Sequence, residues 1–529
     1  MMKNLYETSK KFISILIIAS CLVSIVQGAQ SDWKNEKTNW LAGPGGVIKG
    51  IRFPEGKEPP LESSPSSAEF KPFSLATVEA QEPNNVIDSP PVAGFVPRIA
   101  VTVTDSHSDD LDWVAYPQNS VVGNYLTNNP KKNYIIGLFD TGSSTNIISN
   151  AGAQRVGIFS SDLLTSNIIE LAGATGSIFG LVSMPLAVYM DGLSAIDPNG
   201  WLLDDSNMVG ESNISIVVGD IPEPNQPDLP TAVGSPVGVY YVTGIFNDNP
   251  ISVTYDGNNY TAPDIRFYNQ GDPKIPNYTN KIPLNLIPAG AYDVEYFPDL
   301  DAIYDFTFQP GSPSVIGSLL QSLFFISSVD LTNGTHTSLD RSRFMLDTGA
   351  QVTVISSQVA ARLGLNPANE DFEVEIQDVT GEITYQPGFF IDKLEITALG
   401  EWLTFTNVPV VMLDVGSPEG GYLDGIIGMN LFTEYNLVLH GGGLLGQDPP
   451  SLAVKRIPPR LIGDIAPEGG DGTVNFLDFA VLADSWLATP TSENWNPKAN
   501  IAPRYDPDSV IDILDFTELA NSWLETLTP

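Results

Sequence analysis

The sequence predicts an all-β protein of two lobes related by a pseudo-twofold axis, followed by a small α-helical module. Three observations predict it. From about Pro97 to about Val454 the chain is a series of short β-branched stretches, among them "RIAVTVTD", "NISIVVGD", "YYVTGIF", "FEVEIQDV" and "NVPVVML", broken by Gly, Pro, Asn and Asp. An Asp-Thr-Gly turn between apolar strands occurs twice, in "GLFDTGSSTNIIS" from Gly137 and "FMLDTGAQVTVIS" from Phe344. From Asp464 the strand pattern stops and one loop-helix unit is repeated.

The bulk numbers fit this reading. A chain of 529 residues is too long for one small core, and several domains are expected. Lys and Arg total 25 against 63 Asp and Glu, a net charge of -38. That balance argues against binding nucleic acid or docking on anionic lipid, and it suits a solvated exported protein or one that collects cations.

Residues 1–28 read as a secretory signal peptide. Lys3, Lys10 and Lys11 precede an apolar run from Phe12 to Val26, and Val26-Gln27-Gly28 is an acceptable cleavage site. The run is too short to span a bilayer. The only cysteine, Cys21, lies inside it, where Ile18-Ala19-Ser20-Cys21 is similar to a lipobox, so lipid anchoring is the alternative to simple secretion. Cleavage after Gly28 leaves a chain without thiol chemistry. Residues 29–96 are rich in Pro, Ser, Gly and Glu and read as a linker or pro-segment. A second linker is expected over 455–463.

Two lobes, 97–299 and 300–454, carry the same order of features. In the second, Asp347-Thr348-Gly349-Ala350 is followed by "VTVIS", a short helix in "SSQVAARLGL", a hairpin at "QDVTGEITY", and the closing turn Ile426-Ile427-Gly428. In the first, Asp140-Thr141-Gly142-Ser143 is followed by "TNIIS", "ELAGATGSIFG", "ISIVVGD" and Ala232-Val233-Gly234. The first lobe is longer, mainly around 191–212 and 247–299.

An Asp at a strand end with Thr and Gly behind it sits on a tight turn whose backbone N–H groups can face its carboxylate. A pseudo-twofold axis would bring Asp140 and Asp347 together around one water. Two such carboxylates share a proton, because both cannot ionise cheaply side by side. The ionised one takes a proton from the water, which attacks an amide carbonyl, and the protonated one polarises the carbonyl oxygen. One turn would be an ordinary β-turn; the doubling supplies the chemistry. A serine or zinc enzyme is not indicated, since His107, His336 and His440 have no GxSxG or HExxH beside them and read as surface or loop residues.

At these motifs the chain resembles the aspartic peptidases, pepsin-like and retropepsin-like, over roughly residues 97–450. "FMLDTGAQVTVISSQVAARLGL" and "LDGIIGMNLF" fit the retropepsin-like pattern; in the first lobe Ala232 replaces a larger apolar residue. The resemblance implies a bilobed double-psi β-barrel fold with Asp140 and Asp347 as the catalytic dyad and a polypeptide as substrate. It implies that Thr141 and Thr348 cross-link the two loops from below and that Gly142 and Gly349 permit the turns. The fourth position holds Ser143 in one lobe and Ala350 in the other. A hydroxyl there donates to the aspartate in the family, so Ser143 is expected to favour ionised Asp140. Flap hairpins are expected at Ala172–Gly180 and Asp378–Tyr385, with Phe179 or Tyr385 near the substrate.

The C-terminal residues 464–529 hold two copies of an acidic loop and a helix, "DIAPEGGDGTVNFLDFAVLADSWL" and "NIAPRYDPDSVIDILDFTELANSWL". Asp471, Thr473, Asn475 and Asp478 have the spacing of the later half of a calcium loop, and Asp508, Asp512 and Asp515 hold such places in the second copy. This resembles the dockerin module, a duplicated calcium loop-helix, and implies Ca2+ in the loops, with Asp464 at the start of the first, and a cohesin-type partner on a scaffold or cell surface. Asp464 and Asn500 lie too far upstream for an unmodified loop, and Ala-Pro stands where a ligand is expected. Without calcium the pair would be held by Phe479, Leu482, Trp486, Phe516, Leu519 and Trp523.

The expectation is therefore a secreted aspartic endopeptidase tethered by its C-terminal module. The alternatives are an inactive β-rich peptide-binding protein and a structural cell-surface protein with the same tether. The dyad is expected within one chain, or else across a dimer of second lobes.

Overall fold

A computed structural model describes residues 86–105, 121–128, 133–288, 322–457 and 463–523, with breaks that include 174–176, 220–230, 378–382, 443–448, 467–472 and 502–509, and short strands at 14–19, 40–41, 48–52 and 115–116. Cys21, the cleavage motif at 26–28, most of the segment 29–85, His107, Asp471 and Asp508 lie outside the described residues. The chain divides into two compact units between Arg456 and Ile457.

The first unit is built of strands. Arg98–Thr104 is buried along its whole length and pairs on one side with Tyr134–Phe139 and on the other with Leu186–Gly192. Ile99, Val101 and Val103 alternate along it with Arg98, Thr102 and Thr104, and the buried Thr102 and Thr104 hydroxyls donate to the Asn133 and Val122 carbonyls, as a strand enclosed on both faces requires. Tyr134–Phe139 runs into the first Asp-Thr-Gly turn, and Ser342–Leu346 runs into the second.

The two turns are held by the same local topology. Thr231–Val233 lies parallel to Tyr134–Phe139, with Ala232 opposite Leu138, and antiparallel to Asn146–Ser149. Gly425–Ile427 lies parallel to Ser342–Leu346, with Ile426 opposite Met345, and antiparallel to Val354–Ile355. Each closing segment thus wedges between the strand that enters the turn and the strand that leaves it. The Asp140 N–H donates to the Val233 carbonyl, and the Asp347 N–H to the Ile427 carbonyl.

Short helices follow at equivalent places. Ser357–Arg362 has Ser356 as its N-cap and buries Val359 and Ala360, with Leu363 buried just beyond, inside the helix expected from "SSQVAARLGL". Asn150–Val156 is its counterpart, capped by Ser149 and ended by Gly157 at φ 92°. That second helix was legible in the repeat, since "ISNAGAQRVG" and "ISSQVAARLG" share the cap and the terminal Gly.

Two expected boundaries shift. Val242–Tyr255, Asn258–Tyr268 and Asn280–Pro288, placed by sequence in the first lobe, join one sheet with Tyr435–His440 and Ser451–Arg456 near the end of the unit. Their apolar faces are buried against strands from both halves, so the core is continuous across the lobe boundary. Residues 86–96, assigned to the linker, are folded. Val86–Asp88 pairs parallel with Leu403–Met412, and Ile87, Ala93 and Val96 are buried. Near the N-terminus Ile48–Arg52 pairs with Phe372–Gln377, and Ser14–Ala19 lies parallel to Leu164–Gly173.

The second unit centres on the helices Phe476–Asp484 and Ile513–Asn521. Val474, Leu482, Ala488, Ala499, Ile511 and Leu519 form its core. Of the side chains expected to hold it, Leu482 and Leu519 are buried, Trp523 is partly buried, and Phe479, Trp486 and Phe516 are exposed by more than a third. The reason is helical phase. Asp478 and Leu482, four residues apart, share the inward face, and Phe479 is turned about 100° away.

Candidate active site

The two Asp-Thr-Gly turns meet back to back. The Thr141 N–H donates to the Thr348 hydroxyl and the Thr348 N–H donates to the Thr141 hydroxyl, both at 3.0 Å. Each hydroxyl in turn donates to the strand of the other half. Thr141 Oγ1 reaches the Leu346 carbonyl at 2.9 Å, and Thr348 Oγ1 reaches the Phe139 carbonyl at 2.6 Å. All four bonds are buried. They lock the strand ends that precede Asp140 and Asp347, and they give each threonine hydroxyl both a donor and an acceptor role.

The carboxylates are buried and adjacent. Oδ1 of Asp140 accepts from the Gly142 N–H at 2.9 Å. Oδ1 of Asp347 accepts from Gly349 at 2.9 Å and from Ala350 at 3.2 Å. Their closeness is visible at Gly142: a β-carbon added there would lie 2.6 Å from Cγ of Asp347. Any side chain at this position would displace the opposing carboxylate, which gives Gly142 a steric role beyond its turn.

The fourth position departs from expectation. The Ser143 hydroxyl donates to the Thr145 carbonyl at 2.7 Å. Its single hydrogen is used within its own loop and is not directed at Asp140, so Ser143 stabilises the loop rather than the charge. Ala350 is buried and acts through its backbone: its carbonyl accepts from the Met429 N–H at 2.8 Å.

Several supporting residues were not singled out from the sequence. Six residues after each aspartate stands a polar side chain, Asn146 and Thr353, that accepts from the N–H of the closing glycine, Gly234 at 3.0 Å and Gly428 at 3.4 Å. The equal spacing in the two repeats was the available signal. Thr353 also bonds Asn430 at 2.8 Å, and the Asn430 amide reaches the Pro91 carbonyl at 3.3 Å.

The segment before the first lobe touches both turns. Gly94 is bonded to Gln351, four residues beyond Asp347, and the Pro97 carbonyl accepts from the N–H of Phe139, the residue before Asp140. No sequence pattern marked this strap, because its residues are ordinary and its partners are distant in the chain.

The first expected flap is a hairpin of Leu164–Gly173 and Ser177–Ser183, and the second is formed by Phe372–Gln377 and Ile383–Ile396. Both tips, 174–176 and 378–382, and the Phe179 side chain lie outside the described residues. Tyr385 is exposed. His336 is exposed, whereas His440 is half-buried within a strand rather than in a loop.

In the second unit, Asn475 caps its helix by accepting from the Leu477 N–H, and Asp512 accepts from Leu514, both at 2.8 Å. Asp478 and Asp515 are buried and face backbone N–H groups. Asp464 and Thr473 precede the first helix. Among the described residues no group of three or more His, Cys, Asp or Glu side chains is placed to hold a metal ion.

No curated protein matches this chain. The family model described as aspartyl protease matches residues 331–431, which contain the second Asp-Thr-Gly turn, its helix and the closing Ile426-Ile427-Gly428 turn, and the mostly β architecture around that region is consistent with the aspartic-protease fold.

Proposed function

We propose that this protein is an aspartic endopeptidase whose dyad is Asp140 and Asp347, exported and tethered through its C-terminal unit. The observation that carries the reading is the reciprocal Thr141–Thr348 bonding, which sets two buried aspartates from the two halves against each other. Aspartates so placed hold one proton between them and need no metal. The ionised carboxylate removes a proton from a water lying between them. The water oxygen bonds the amide carbon while the other carboxyl protonates the carbonyl oxygen. Collapse of the tetrahedral species breaks the C–N bond, and a dyad proton goes to the leaving nitrogen.

The remaining parts of the proposal rest on sequence. Export follows from the charged and apolar N-terminal segment. Cleavage after Gly28 would remove the strand Ser14–Ala19 and leave the hairpin strand Leu164–Gly173 at the sheet edge. The C-terminal unit is read as a dockerin-like tether for a cohesin-type partner. In its favour, Phe476, Leu477, Phe479, Ile513, Leu514 and Phe516 are exposed on two equivalent helices, and the Phe479 and Phe516 rings lie 6.0 Å apart. An exposed apolar patch shared by two helices is the usual mark of a docking face.

The test is hydrolysis of an unfolded protein from about pH 3 to about pH 8 by wild type, Asp140→Asn and Asp347→Asn, a span that brackets carboxylate dyads. Loss of activity in both variants is expected. Loss in Asp347→Asn alone would assign the activity to a dimer of second lobes. Peptide binding without turnover by the wild type would favour an inactive binding protein.

A further inference from the structure

The C-terminal unit carries two carboxylates at the places where a paired calcium loop would end, and both are already occupied. Oδ1 of Asp478 accepts from the backbone N–H groups of Ile465 and Ala466, at 2.6 and 2.7 Å, and Oδ2 accepts from Asn475 at 2.7 Å. In the second copy, Oδ1 of Asp515 accepts from Ile501 at 2.6 Å, and Oδ2 accepts from Asp512 at 2.7 Å. The same arrangement thus recurs at positions related by the internal repeat. Both carboxylates are fully buried.

A calcium ion needs six to eight oxygen ligands with their lone pairs directed inward. The described residues do not offer that. The positive ends of N–H dipoles converge on Asp478 and Asp515. The side-chain oxygen of Asn475 accepts from the Leu477 N–H while its amide donates to the Thr473 carbonyl at 3.0 Å, and Oδ1 of Asp512 is engaged by the Leu514 N–H. Each of these last two oxygens is committed to capping a helix.

The source of the N–H groups is informative. Ile465-Ala466 is followed by Pro467, and Ile501-Ala502 by Pro503. These are the Ile-Ala-Pro segments that separate Asp464 and Asn500 from an ordinary calcium loop. In three dimensions the described residues of these segments, Ile465, Ala466 and Ile501, deliver backbone donors to the buried acids. A buried carboxylate must be compensated by a cation or by hydrogen bonds, and here the bonds are charge-assisted.

We propose that the C-terminal unit folds without a metal ion, with the Ile465–Ala466 and Ile501 N–H groups compensating Asp478 and Asp515 where a cation would otherwise do so. Each acid then clamps its loop to its own helix: the Asp478 oxygens join Ile465 and Ala466 to the start of Phe476–Asp484, and Asp515 joins Ile501 to the start of Ile513–Asn521. The proposal is independent of the peptidase reading.

The test is hydrogen exchange by mass spectrometry on the full chain, in millimolar calcium and in excess chelator, following peptides over 463–489 and 495–523. A local readout is required because a chain of net charge -38 will gather calcium nonspecifically. Equal protection of both helices in the two conditions is expected. A rise of about tenfold or more on adding calcium, the mass-action signature of a cation at ten times its Kd, would overturn the proposal. Asp478→Ala is expected to lose protection at 465–466 equally in both conditions. Loss confined to the calcium sample would assign Asp478 to a cation instead.

Discussion

Gly94 and Gln351 bond each other twice: the Gly94 N–H donates to the Gln351 carbonyl at 2.8 Å, and the Gln351 side-chain amide donates to the Gly94 carbonyl at 3.0 Å. There is no room for a side chain at Gly94, where a β-carbon would lie 2.2 Å from the Met429 backbone carbon. The strap therefore belongs to the folded unit. Gly94→Ala is expected to destabilise the first unit by about 1–3 kcal/mol, the usual cost of overpacking, read from denaturant midpoints. A variant beginning at Val86 should retain the strap and its stability, whereas one beginning at Arg98 should lose both. Equal stability of the two truncations would remove the strap from the account.

The Thr141–Thr348 pair predicts a coupled loss. Thr141→Val leaves the buried Thr348 N–H and Leu346 carbonyl without their bonds, at a cost of about 1–3 kcal/mol. Thr348→Val should cost about the same, and the double variant less than the sum, because the first substitution already breaks half of the shared network. Strict additivity in a double-mutant cycle would show that the two threonines act separately.

Ser143→Ala removes a hydroxyl whose hydrogen is directed to the Thr145 carbonyl. The expected result is a modest loss of stability, about 0.5–1.5 kcal/mol, and an unchanged pH profile of hydrolysis. Movement of either limb of the profile would restore the serine to a role in dyad protonation.

Glu211 predicts how stability varies with pH. Its carboxyl is fully buried, and burial pushes its pKa well above the ordinary glutamate range, partly offset by the Tyr240 hydroxyl. Asp191, half-buried, is pushed up to about 7, first by burial and then by the charges of Asp264 and Asp204, against the lowering effect of the Gly192 N–H. In the unfolded chain both groups release their protons near pH 4, while the folded chain retains them to higher pH. The folded state then binds more protons, so the stability present below the ordinary carboxylate range is lost as pH rises toward the folded values. Glu211→Gln mimics the protonated acid. It should flatten that decline by about 1.4 kcal/mol for each pH unit of the window. Parallel urea curves at acid and neutral pH would check this, and an unchanged slope would remove Glu211 as its source.

Much of the candidate site was readable beforehand because its parts are local. A turn such as Asp140-Thr141-Gly142 needs only neighbouring residues to form, and repetition at Asp347-Thr348-Gly349 implies a symmetric partner. The helix after Ser356 was legible from its cap and its apolar spacing, and the helix after Ser149 could have been found from the repeat. The Ser143 bond to the Thr145 carbonyl differs from the expected one because the acceptor a hydroxyl meets is set by loop geometry, which composition does not encode.

By itself the sequence determined the β-rich character of the main unit, the two Asp-Thr-Gly turns, the doubled C-terminal helices and the acidic surface, since each follows from residue type and short-range spacing. Only the tertiary structure decided that residues 86–97 strap both turns, that 242–288 share a sheet with the last strands of the unit, and that Asp478 and Asp515 face backbone N–H groups. Those outcomes depend on contacts between residues far apart in the chain. Burial selects among them, because every buried polar group must find a partner wherever the fold can bring one.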